Sequence, residues 1–126
     1  MKIRDLIAAA LIAAVLPALA AEKSDYSRSG FAQAQDSGAP VLVEVFAPWC
    51  SVCRAQQPVL EKLEADPQFQ NLKVFRVDFD KQKDAVRSFG AKSQSTLIMF
   101  KGKKETGRSV GDTDPNSISA LIGSGY

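Results

Sequence analysis

Two residues in this chain can do covalent chemistry as a pair, Cys50 and Cys53, in the run Trp49-Cys50-Ser51-Val52-Cys53. A bridge between them closes a very small loop. It therefore removes little entropy from the unfolded chain and is a poor staple, but it can open and close as a redox switch. The chain has two cysteines and no histidine, so a Cys/His zinc site within one chain is excluded. Four thiolates around a metal would need two chains.

The apolar run before Cys50 and the helical spacing after it place that residue where a strand ends and a helix begins. A helix N-terminus offers unpaired N–H groups and partial positive charge, which stabilise a thiolate. Cys50 is therefore expected to be the exposed, attacking thiol. Cys53, one turn further in, is expected to be more buried and to resolve the mixed disulfide. Ser51 and Val52 carry no charge that would lower the attacking pKa further. A milder oxidant is expected than with a histidine between the cysteines.

The elements that must position this pair are legible in the pattern. Val41 to Ala47 is a nearly continuous apolar, β-branched run, the pattern of a strand covered on both faces, and Glu44 is its one charged residue. Before it, Ser24 to Gln35 contains one short amphipathic helix ending near Asp36-Ser37-Gly38. Cys53 to Ala65 has helical spacing, with Pro58 as a kink. Leu72 to Asp80 alternates as a second strand, and Asp84 to Phe89 is a short helix stopped by Gly90. Thr96 to Phe100 and Glu105 to Val110 are strands joined by a Lys-Gly turn, and a last helix follows Asp112 to Asn116. This order predicts an α/β fold, a mixed β-sheet flanked by helices on both faces.

Composition sets the outer bounds. The chain has 126 residues, 45% hydrophobic and 24% charged, with a net charge of +2. That is too near neutral, and too evenly spread, to argue for nucleic acid as a partner. Residues 1–20 differ from the rest: a basic start, an unbroken apolar run from Leu6 to Leu16, Pro17, then Ala18-Leu19-Ala20. This is the layout of a signal peptide cleaved after Ala20, leaving one domain over 21–126. It predicts contact with a membrane only during export, and a periplasmic location.

Taken together, these residues resemble the thioredoxin family. The resemblance rests on Val41 running into Trp49-Cys50-Ser51-Val52-Cys53, on Pro58, on Phe89-Gly90, on the Thr96 to Phe100 hairpin and on Val110-Gly111. It implies a thioredoxin-like fold and a thiol–disulfide oxidoreductase that needs no cofactor. The expected protein is a monomer acting on protein thiols and disulfides and recycled by a membrane or periplasmic redox partner. Glu44 stands at the family's buried acid position. Desolvated there, it should hold a proton more readily than a surface carboxyl and exchange it with Cys53. Arg76 matches a family lysine near that acid. Trp49 and the Gln94-Ser95-Thr96 loop would frame the substrate. Ser95 stands where the family has a cis-proline, so this loop is expected to be either trans and rearranged or cis and strained. That proline also shields the thiols from metals, so thiolate binding of copper, or of zinc or an iron–sulfur cluster shared between chains, is an alternative function. A non-catalytic binding domain is another.

Overall fold

A computed structural model of the protein describes residues 20–126. The leader expected over 1–20 lies outside the described residues, Ala20 excepted. Five strands and four helices follow in the order β1 (Glu22–Asp25), α1 (Arg28–Asp36), β2 (Pro40–Phe46), α2 (Ser51–Glu64), β3 (Lys73–Asp78), α3 (Lys83–Ser88), β4 (Thr96–Lys101), β5 (Lys104–Val110) and α4 (Pro115–Gly123). A single 3₁₀ turn, Pro67–Phe69, links α2 to β3.

The strands form one mixed sheet in the order β1-β3-β2-β4-β5. β2 pairs in parallel with β3 and antiparallel with β4, so the strand leading to the cysteines lies at the centre of the sheet. Alternation along β2 divides the core. Val41, Val43 and Val45 pack with Ala34 of α1 and with Ala85 and Val86 of α3. Leu42 faces the other way and packs with Leu60 of α2 and with Ile118 and Ile122 of α4. Side chains two apart on a strand share a face, so Glu44 belongs to the α2 and α4 side.

This is the expected architecture, with two departures. The first is β1, whose sequence Glu-Lys-Ser-Asp has no apolar alternation to announce a strand. It forms because its backbone pairs in parallel with the outer side of β3, Lys23 opposite Val74 and Asp25 opposite Arg76. The second is the start of α2, at Ser51 rather than Cys53, because Cys50 itself caps the helix. Pro58 lies inside that helix, as expected.

Candidate active site

Cys50 and Cys53 are joined as a disulfide, with their Cα atoms 5.3 Å apart. Cys50 has extended backbone torsions, and its Sγ accepts the Cys53 N–H at 3.1 Å. A sulfur so placed sits on the positive end of α2, where a thiolate is favoured once the disulfide opens. The expected contrast in burial is absent: Cys50 is 3% exposed and Cys53 4%. In the disulfide form both sulfurs belong to a small cluster with Ala47, flanked by Phe46 and Phe79, and this packing covers the residue expected to be exposed.

Trp49, by contrast, is 58% exposed, and its indole N–H donates to Asp80 Oδ2 at 2.6 Å. The bond ties the turn before Cys50 to the turn that follows β3. Val52 is also exposed, so the disulfide is bordered by apolar surface.

Glu44 is buried, 2% exposed, and it is not alone. Lys23 Nζ donates to its Oε1 at 3.2 Å and lies 3.0 Å from Oε2. Arg76 Nε stands 3.6 Å from Oε2, while its guanidinium lies 3.7 Å over the Phe46 ring. The same Lys23 ammonium reaches Glu64 Oε1 and Oε2 at 3.0 and 3.3 Å, and Gln57 Oε1 at 3.4 Å. Glu64 is also buried, and its pKa is pushed up from 4.5 to about 8. Burial is the largest cause and the Glu44 carboxylate the next; Lys23 opposes both. Arg76 thus stands beside the acid, where the resemblance puts it. Glu64 is an addition to the expected site, although it follows the buried Leu60 by four residues and so shares its inward stripe. Lys23 carries no sequence signal, since it sits on the strand that the pattern conceals.

The loop facing the disulfide takes the first of its two expected forms. Among the described residues there is no cis peptide bond, and Ser95 has φ 58°, in the left-handed region. Both backbone groups of Ser95 are used internally. Its N–H donates to Val45 O at 2.7 Å, and its carbonyl accepts from Gly111 N–H at 3.0 Å and Gln56 Nε2 at 3.3 Å. Gln56 Nε2 also donates to Asp112 O at 2.8 Å, so this buried side chain joins α2 to the loops on either side of the β4–β5 hairpin. Its sequence signal is its place three residues after Cys53 and four before Leu60. Ser95 Oγ turns back to Gln94 O, and the buried Thr96 spends its hydroxyl on Ser93 O. Gln94 is the partly exposed member of the three. Register places Val45, Thr96 and Val110 side by side, which brings this loop and the exposed Val110 to the end of the sheet where β2 runs into Cys50.

The sequence model of the Thioredoxin family matches residues 23–124. The chain belongs to the thioredoxin family. It is 41% identical over 96 residues to a thioredoxin of Chlamydia muridarum, covering 76% of this chain and 91% of that one. Among solved structures it is similar to Trxlp from Edwardsiella tarda EIB202, with 46% identity, a TM-score of 0.78, and coverage of 80% of this chain and 98% of that one. A Malassezia sympodialis thioredoxin superposes with a TM-score of 0.71 at 26% identity, over 83% and 92% of the two chains. As a member of this family with a Cys-x-x-Cys pair, the protein is a thiol–disulfide oxidoreductase. Thioredoxins act on protein thiols and disulfides, which fixes the class of substrate.

The backbone at Ser95 and the buried Glu64 each have a measurable consequence. At Ser95 a left-handed backbone suits glycine and forbids proline. Ser95→Gly should keep or raise stability by up to about 1 kcal/mol, whereas Ser95→Pro, which also loses the bond to Val45, should cost more than about 1 kcal/mol. Urea midpoints of the oxidised proteins check this. For Glu64, a folded-state pKa of about 8 against 4.5 for an ordinary glutamate carboxyl means that the folded protein binds the extra proton. Its contribution to stability is thus fully present below about 4.5 and is lost as pH rises through 8. The stability difference between Glu64→Gln and the parent should grow in favour of the variant over that window, read from denaturation at a series of pH values.

Proposed function

We propose that the protein is an exported oxidoreductase, directed to the periplasm by residues 1–20, that exchanges its Cys50–Cys53 dithiol with disulfides of proteins there. The observation that carries the chemistry is the Cys50 sulfur seated on the N-terminus of α2, with the Cys53 N–H directed at it. The basic start, the Leu6 to Leu16 run and Ala18-Leu19-Ala20 support export. Among the described residues no helix is long and apolar enough to cross a membrane.

In the reducing direction, the Cys50 thiolate attacks one sulfur of the substrate disulfide, and the other substrate sulfur leaves as a thiolate that takes a proton from solvent. Cys53 then gives its thiol proton to Glu44 and attacks Cys50 Sγ. The intramolecular disulfide forms, and the second substrate sulfur is released and protonated. The oxidising direction is the reverse of these steps. Trp49, Val52 and Val110 offer a flat apolar border for docking, and Gln94 is the member of the opposing loop that reaches the surface. No organic cofactor enters. A second redox protein, in the membrane or the periplasm, resets the pair.

Three variants test these roles with an insulin-type protein disulfide as substrate. Cys50→Ser should abolish turnover. Cys53→Ser should accumulate a covalent mixed disulfide through Cys50, visible by mass on a non-reducing gel. Glu44→Gln should slow turnover by roughly 10²- to 10⁴-fold while leaving substrate affinity near the parent value. Turnover that survives Cys50→Ser sinks the catalytic reading. For location, the full chain made in a Gram-negative host should be recovered in the periplasmic fraction with Ala21 at its N-terminus. A full-length product in the cytoplasm would contradict export.

A further inference from the structure

On α2, Cys53, Gln57, Leu60 and Glu64 stand at steps of four, three and four residues, which is one stripe of a helix. Its first and last members lie about 16 Å apart along the axis. The first is the resolving sulfur. The last is a buried carboxyl that shares one ammonium with Glu44. Beside Glu64 a cavity of about 250 Å³ opens, lined by Lys23, Glu61, Glu64 and Ala65. The sheet edge at β1 and the last turn of α2 thus bring an open cavity to the second carboxyl, itself buried at 8% exposure, at the end of α2 away from Trp49. A protein substrate docked over Trp49 and Val52 covers the mouth of the disulfide. A proton released there needs another way out.

We propose that Glu64, held by Lys23, is the proton exit of this active site, passing to solvent the proton that Glu44 takes from Cys53. The proposal rests on Glu44 being the acid–base group of the exchange. The groups facing Glu64 are Lys23 from β1, Glu44 from β2, and Gln57 and Glu61 from α2, with Arg76 of β3 on the far side of Glu44; Ala21 lines the same cavity and brings its α-amino group there once residues 1–20 are removed. Burial and the neighbouring Glu44 carboxylate push Glu64 up to about 8, so Glu64 keeps its proton at neutral pH. When the Cys53 S–H bond breaks, the pair takes a second proton on Glu44, and Glu64, its outer member, releases one to water. In the oxidising direction Glu64 takes that proton up. Lys23 keeps its three protons and holds the two carboxyls together. Glu64 is therefore a positioning and relay residue, not one that touches the reacting sulfurs.

The test follows reduction of a protein disulfide by the mature protein from pH 6 to 9.5 in the parent, Glu64→Gln and Glu44→Gln. The parent should show an inflection near pH 8 that Glu64→Gln lacks. Glu64→Gln should also turn over about three- to tenfold more slowly at neutral pH, below the roughly 10²- to 10⁴-fold of a direct acid–base group, with KM unchanged. Carboxyl ¹³C resonances of the parent supply a second readout should the variant fold poorly: the Glu64 midpoint should differ between oxidised and reduced protein. If Glu64→Gln keeps the parent profile, or the Glu64 midpoint ignores the redox state, while Glu44→Gln is slow, the exit is wrong and the acid–base role of Glu44 stands. If Glu44→Gln matches the parent, the acid–base reading falls and the exit with it.

Discussion

The Cys53 N–H directed at the Cys50 sulfur is the interaction on which the rest of the structure depends. It requires a helix that begins immediately after Cys50, and so a strand that ends just before it. Two intervening residues are the spacing that puts the second cysteine one turn in, with its N–H free to point back at the first. The central place of β2 between β3 and β4, and the packing of α2 on its Leu42 face, hold that junction still. Trp49 bonded to Asp80 and the Ser95 carbonyl bonded to Gln56 and Gly111 brace it from either side.

Beneath the junction lies an arrangement with an opposing cost. Burying one carboxylate in a sheet is unfavourable, and burying two is worse unless cations accompany them. Here Lys23 and Arg76 accompany Glu44, and Lys23 also accompanies Glu64. The pairing leaves residual tension in the group whose proton affinity is raised, Glu64. A fold built for stability alone would place an apolar side chain at that position. Glu64 instead puts an ionisable group on the inner stripe of α2 that begins at Cys53.

Most of the fold is legible in the sequence because its signals are local. The unbroken apolar run of β2, the alternation of β3 and the Lys-Gly turn each identify an element without reference to the rest of the chain. The strand β1 is not legible, because Glu22 to Asp25 is held by backbone pairing at a solvent-facing edge and needs no apolar face. That omission hides Lys23 and with it the link between Glu44 and Glu64. The disulfide pair, Glu44, Arg76 and Trp49 can be named from spacing and resemblance. The burial of Cys50 cannot, because it depends on Phe46 and Phe79 arriving from two different strand ends. Ser95 can be recognised as a departure, but which of two backbone forms it adopts depends on partners at Val45, Gln56 and Gly111, which are distant in sequence.

Exchange with protein disulfides requires that Cys50 and Cys53 form a reversible two-electron couple. Equilibration of the protein freed of residues 1–20 in glutathione buffers, with the dithiol and disulfide forms separated after acid quenching, tests it most directly. A single transition is expected, with a potential inside the roughly −270 to −120 mV spanned by dithiol–disulfide exchange proteins. A pair that stays oxidised throughout, or that reduces without reoxidising, would contradict it.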